Sequence, residues 1–167
     1  CYELADEVSY SAKTNYEVSK ILEDTNCSFS VHSQEGVNQI KNKDKIWFFA
    51  QGWNKEEIEN LYHQGINSFV VDNKEDLNLL LDSNKKINLL LRMRLKESTV
   101  HTGKHFVFGF FSKDINNLIP KLRNNENILK LGVHFHRKTQ NVSEWSLISE
   151  LEDSLDKNTL KDLDYVN

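Results

Sequence analysis

The chain has 167 residues, 38% apolar and 28% charged, which is one domain's worth of material with enough apolar surface to bury a core, so a disordered tail is excluded. Its 21 Lys and Arg against 25 Asp and Glu leave a net charge of -4 without any block of like charge, which argues against nucleic acid as a partner. No apolar run nears the roughly 18 to 20 residues that span a bilayer and no signal segment opens the sequence, so the expectation is a cytoplasmic protein with no membrane partner.

Short β-type runs recur along the chain, at residues 8–13, 28–32, 46–51, 68–72, 87–95 and 129–136, with a last one beginning near Leu163. Stretches with helical spacing lie between them. Asn15 precedes a helix over 16–25, and Asn54 with Glu57 three residues on makes a capping-box opening for a helix over 55–64. Gly65 stands where that helix would stop. Further helices are expected over 74–81, 113–124 and 143–155.

Strand and helix alternate without hairpin signals, so the sheet should be parallel. Two architectures remain, a doubly wound sheet and a (β/α)8 barrel. No Gly-x-Gly-x-x-Gly follows the first strand, which removes the main support for a dinucleotide-binding wound sheet. Seven strands of a possible eight, and an abrupt strand-like ending, predict an α/β protein with a TIM-type barrel that is incomplete. The chain begins at Cys1 without a Met and reads as a piece of a longer one. Cys1 and Cys27 form no disulfide framework and no metal-ligand spacing, so both read as plain thiols.

Alternation within the strands separates two faces. Ser9, Ser11 and Lys13 oppose Val8, Tyr10 and Ala12; Ser28, Ser30 and His32 oppose Phe29 and Val31. In the same way Asn88, Leu90, Arg92 and Arg94 oppose Leu89, Leu91, Met93 and Leu95, and Gly132, His134 and His136 oppose Leu131, Val133 and Phe135. The polar sets should point into the barrel, collecting ionisable groups at the carboxyl ends of the strands, where barrels keep their active sites.

Lys13 is the sharpest candidate, because an inward amine at a strand end becomes nucleophilic toward an aldehyde when it is desolvated. A solvated lysine at the barrel mouth is the competing reading. His134 and His136 point the same way, as two metal ligands would, with His32 near enough to be a third; they also read as a pair of core histidines, or as rings lying against a planar cofactor. The stretch 96–111 is too long for a simple loop, and its aromatic end reads as local packing plus a subunit contact. Trp47, Trp53 and Trp145 read as core or helix-packing residues.

Taken together, Ser9-Tyr10-Ser11-Ala12-Lys13-Thr14-Asn15 and Leu131-Gly132-Val133-His134-Phe135-His136-Arg137-Lys138-Thr139-Gln140 resemble two signatures of the fold type III pyridoxal-phosphate-dependent decarboxylases. That family includes the ornithine, diaminopimelate and arginine decarboxylases, whose N-terminal domain is a barrel like that of alanine racemase. Leu90-Leu91-Arg92, Phe29-Ser30-Val31-His32-Ser33 and the segment from Val71-Asp72-Asn73 to Glu75-Asp76-Leu77 are similar to further family segments in the same order. The resemblance implies that Lys13 holds pyridoxal 5'-phosphate as an imine, that His136 stacks on its ring and that Thr139 reaches its phosphate. Arg92 would lie near the imine, and Ser30 would stand on the cofactor's side where the family keeps an acid. Lys138 replaces a family glycine, and Gly36 lies near where a helix carboxylate is expected.

By the same resemblance all 167 residues form part of the pyridoxal-binding barrel domain, and the family's C-terminal β-domain is absent. The implied activity is decarboxylation of a basic amino acid, the small-molecule partner, by a parent enzyme that is a homodimer. The phosphate loop, the glutamate that pairs with the pyridine nitrogen and the Cys-Asp pair supplied across the dimer would lie further on, so these residues alone should be inactive. Two other readings stay open: a non-catalytic pyridoxal-phosphate-binding barrel, and a regulatory homologue that has lost activity.

Overall fold

The β-branched and aromatic runs of the sequence are short, and the strands they form are short too. In a computed structural model, which describes residues 5–49, 51–94, 108–135 and 147–167, the strands are β1 (Ser9–Ser11), β2 (Ser28–Val31), β3 (Ile46–Phe49), β4 (Ser68–Val71), β5 (Ile87–Arg92), β6 (Ile128–His134) and β7 (Tyr165–Val166). All seven pair in parallel in one sheet whose spatial order is the chain order. The helices between them are α1 (Tyr16–Leu22), α2 (Gln34–Gln39), α3 (Lys55–His63), α4 (Lys74–Asp82), α5 (Ser112–Arg123), α6 (Leu147–Ser154) and α7 (Lys157–Lys161).

Local chemistry sets these boundaries. The Asn54 side chain accepts from the Glu57 amide and the Glu57 carboxylate accepts from the Asn54 amide, a complete capping box at the start of α3. At its end Gly65 has φ +91, and the Gly65 and Ile66 amides donate to Tyr62 and Leu61, so the left-handed residue satisfies the last carbonyls. Asn73 caps α4 in the same manner, accepting from the Asp76 amide.

The helix α2 falls in a stretch between strands for which the sequence reading gave no bounds; Gln34–Gln39 is polar with Gly36 inside it and buries only Gly36 and Val37. It forms because Ser33 caps it by accepting from the Gly36 amide, and because Gly36 packs where a Cβ would lie 2.7 Å from Val31. The helix expected over 143–155 is present as α6 in its described part, 143–146 lying outside the described residues, and it is followed by the further short helix α7.

The two faces of the sheet carry different cores. Phe29, Val31, Phe48, Phe69, Val71, Leu89, Leu91, Leu131 and Val133 are buried in one cluster with helix residues such as Ile58, Leu61, Leu77, Leu80, Ile115 and Ile119. The opposite face holds a small cluster of Trp47, Val70 and Leu90, with Phe49 and Tyr165 packed against it. Trp47 of β3 and Tyr165 of β7 are not neighbours in the sheet, yet their ring centroids are 5.9 Å apart. The sheet is therefore curled into an incomplete barrel with its helices outside and the small cluster inside.

The edge strands are tied across the interior. Tyr165 donates its hydroxyl proton to Glu7, just before β1, at 2.8 Å, and receives one from Lys130 at 2.7 Å. The alternation expected from the sequence holds: Ser9 and Ser30 share a hydrogen bond of 2.9 Å, and Asn88 donates to Ser68 at 2.9 Å. Trp47 is buried inside the barrel and Trp53 outside it, while Trp145 lies outside the described residues.

Candidate functional site

The carboxyl ends of β1, β2, β3, β5 and β6 deliver Lys13, His32, Phe49, Arg92 and His134 to one end of the concave face. Beyond β1 the Ala12 amide still donates to the Ser30 carbonyl at 3.0 Å, so pairing persists up to the residue before Lys13. The Lys13 side chain is exposed there. Parallel pairing places Arg92 beside His134. Arg92 is further fixed by the returning chain: Gly109, at φ +116, lets Phe110 donate to the Arg92 carbonyl at 2.8 Å. A Cβ on Gly109 would lie 2.5 Å from that oxygen, and the Arg92 guanidinium lies 5.9 Å from the Phe108 ring.

Three rings meet across the mouth. His32 lies 4.8 Å from Phe49 with the planes tilted by 36°, and Phe49 lies 4.9 Å from His134 at 81°, edge to face. His134 Nδ1 and the Asn167 carboxamide oxygen share a hydrogen bond of 2.6 Å, which orients the ring. The His32 imidazole is held down from 6.5 to about 4, first by burial and then by the positive charges of Lys13 and Arg92. It is an uncharged ring at neutral pH, and both cations bear on it.

Of the residues expected at the site, Lys13, Ser30, His32, Arg92 and His134 come together. The Ser30 hydroxyl is shared with Ser9. His136 and Thr139, with Arg137, Lys138 and Gln140, lie outside the described residues, as do Cys1 and most of the 96–111 stretch. At the end of that stretch Phe110 is buried whereas Phe108 and Phe111 are exposed. Arg94 continues the Arg92 alternation in sequence, but its guanidinium lies 4.7 Å from the Phe111 ring in a separate hollow with Gln51, Asp72 and Asp114. Among the described residues no three His, Cys, Asp or Glu side chains converge as metal ligands would.

Sequence reasoning assigned no role to Phe49, although alternation from Trp47 puts it on the His32 face. Asp76 also went unremarked as a structural group. It is buried and accepts from the amides of Gly52 at 3.0 Å and Trp53 at 3.1 Å, holding the turn between β3 and α3 beneath the mouth. Its position three residues after the capping Asn73 was the available signal.

Residues 3–157 match the family described as "Pyridoxal-dependent decarboxylase, pyridoxal binding domain". The chain belongs to this family. Pyridoxal phosphate is accordingly the cofactor of the domain. No curated protein matches the chain. Among solved structures it is similar to the diaminopimelate decarboxylase of M. jannaschii, at 24% identity and TM-score 0.66 over 82% of this chain and 36% of that one. It is also similar to the arginine decarboxylase of Paramecium bursaria Chlorella virus (15% identity, TM-score 0.70, 93% and 43%) and to the ornithine decarboxylase of Entamoeba histolytica (15%, 0.56, 78% and 36%). At these identities the likeness is one of fold. The chain spans 36% to 43% of those three chains.

The described residues fit that cofactor. A primary amine, a guanidinium and three rings line one end of the concave face, the donor set that an aldehyde-bearing, flat, anionic molecule requires. No helix among the described residues is long and apolar enough to cross a membrane.

Proposed function

We propose that this chain holds pyridoxal phosphate in a decarboxylase acting on a basic amino acid of the ornithine, lysine, diaminopimelate, arginine and carboxynorspermidine class, with Lys13 as the covalent anchor. The observation that carries the reading is the arrival of Lys13 and Arg92 at one end of the concave face, together with the three-ring contact of His32, Phe49 and His134. Bound there, the cofactor supplies an electron-withdrawing ring that takes up the electron pair left when carbon dioxide departs.

The chain's own residues have simpler tasks. Lys13 offers a nitrogen nucleophile from the end of β1. Arg92 supplies a fixed cation from β5; by their match to the family segment His136 would stack on the cofactor ring and Thr139 would bind its phosphate. Ser30 keeps the cofactor's side of β2 uncharged. All 167 residues belong to the barrel domain in this reading, and the parent works as a homodimer.

Borohydride reduction after incubation with pyridoxal phosphate, followed by peptide mass spectrometry, tests the anchor. One adduct, on Lys13, is expected, and Lys13→Ala should remove it while leaving the circular dichroism spectrum unchanged. Adducts spread evenly over surface lysines, unaltered by Lys13→Ala, would refute the assignment.

A further inference from the structure

Phe49 ends β3 on the concave face, half-buried and packed against the small cluster of Trp47, Val70 and Leu90. Its ring serves two partners at once, the His32 imidazole at 4.8 Å and the His134 imidazole at 4.9 Å. His32 comes from just past the neighbouring strand β2, but β3 and β6 stand three strand spacings apart in the sheet. In a flat sheet that separation is about 14 Å, far beyond the span of one ring contact. The curl of the sheet closes the distance, and the Phe49 ring reaches across what is left.

Both histidines sit where the parallel ladder gives out, His32 one residue past β2 and His134 at the last residue of β6. A ring at a strand end has fewer flanking side chains to select its rotamer than one in mid-strand. The Asn167 carboxamide fixes where the His134 Nδ1 atom lies, and a hydrogen bond alone does not fix the tilt of a ring. The 81° packing on Phe49 sets the tilt of His134, and the 36° packing sets that of His32. Phe suits the task, because it carries no polar group of its own and can offer its face to one ring and its edge to another.

We propose that Phe49 is a positioning residue for the cofactor end of the barrel: wedged between His32 and His134, its ring holds both imidazoles in one orientation, so that a flat aromatic ligand meets a preformed wall of rings. Phe49 needs no contact with reacting atoms for this, since it acts through the two histidines. The gain lies in ordering, because rings that are already fixed lose little freedom when a ligand settles beside them. The proposal rests on the reading of Lys13 as the cofactor anchor only for its link to the cofactor; ring order is measured with no ligand present.

The test is run on the full chain and on Phe49→Leu, Phe49→Met and Phe49→Tyr, each checked for the wild-type circular dichroism spectrum. Without ligand, NMR relaxation of the imidazole carbons reports how firmly His32 and His134 are held. Both rings should be rigid in the wild type and in Phe49→Tyr, which keeps the aromatic ring. They should be mobile in Phe49→Leu and Phe49→Met, which keep only the apolar bulk. Borohydride labelling of Lys13 is then compared for pyridoxal phosphate and for acetaldehyde, a small aldehyde with no ring to place. In Phe49→Leu and Phe49→Met, labelling by pyridoxal phosphate should fall about tenfold while labelling by acetaldehyde stays within about twofold, and Phe49→Tyr should label as the wild type does.

Equally rigid imidazoles in Phe49→Leu and Phe49→Met overturn the proposal, and so does pyridoxal phosphate labelling that those substitutions leave unchanged. An equal loss with acetaldehyde overturns it too, because Phe49 would then act on the fold around Lys13 and not on the rings. When wild-type Lys13 takes no selective label from pyridoxal phosphate, the anchor is refuted and ring order alone decides the role of Phe49, so the two failures are told apart. Two substitutions that remove the ring keep the test decisive when one of them does not fold.

Discussion

Asp76 shows how one buried side chain shapes the approach to the site. Its carboxylate is 3% exposed and accepts from the Gly52 and Trp53 amides and from the Asn73 side chain. Asp76→Ala would leave the buried Trp53 amide without its acceptor while the exposed Gly52 and half-buried Asn73 donors turn to water, at a cost of about 1 to 3 kcal/mol that urea unfolding should report. A cost under about 1 kcal/mol would mean that the turn at Gly52 holds itself. His32 makes a different prediction. Its imidazole titrates near 6.5 when unfolded and at about 4 when folded, so between those values the unfolded chain binds a proton that the folded chain refuses. Stability should therefore fall as the pH drops from 6.5 to 4, and the advantage of wild type over His32→Gln should shrink across that window. Equal pH profiles for the two proteins would show that the ring is not held neutral. At this scale Lys13, His32 and His134 were legible as candidates because strand alternation is a local property. The hydrogen bonds of Asp76 to the Gly52 and Trp53 amides were not, since those donors lie 24 and 23 residues away in the chain.

The elements meet under tight geometric conditions, and Gly132 in β6 is the clearest. A Cβ there would lie 2.3 Å from the Tyr165 carbonyl oxygen and 2.7 Å from Leu90, closer than real atoms approach. Gly132→Ala should push β7 away from β6 at a cost of about 2 to 3 kcal/mol. The Asp164 and Asn167 amides, which donate to Leu131 and Val133, should then exchange hydrogen faster than those of β4 and β5, which mass spectrometry would resolve. Uniform protection across the sheet would show that β7 adapts to the methyl group. Gly132 was read in sequence as part of a family segment; its physical reason appears only when Tyr165, 33 residues on, is paired beside it. The strands themselves were legible in number and order but were expected too long at their carboxyl ends. Lys13 and His32 lie just beyond their strand ends, whereas Arg94 pairs with the returning chain, its amide donating to the Phe110 carbonyl at 2.8 Å, and its side chain enters a separate hollow.

Across the whole molecule the sheet divides stability from chemistry. The convex face buries a continuous apolar core against the helices, whereas the concave face has, among the described residues, a small buried cluster of Trp47, Val70 and Leu90 and carries polar and ionisable groups. Alternating hydropathy made this division legible in the sequence, and the curl that turns one face into an interior follows from parallel strands of regular twist. Energetically the two faces should respond unequally to truncation. Phe69 is fully buried on the convex side with its ring 5.4 Å from Trp53, so Phe69→Ala should cost about 3 to 5 kcal/mol, a large share of the 5 to 15 kcal/mol that holds a typical domain. Ser30→Ala on the concave side loses one hydroxyl hydrogen bond, to Ser9, and should cost about 1 kcal/mol. Urea unfolding of both variants at neutral pH, fitted with a common slope, measures the difference directly. A ratio near one would mean that the concave face bears the fold as much as the convex one does, and substitutions at the site would then be constrained by folding. A ratio of three or more means that residues such as Ser30 and His32 can vary for function while the helices and the outer face keep the barrel intact.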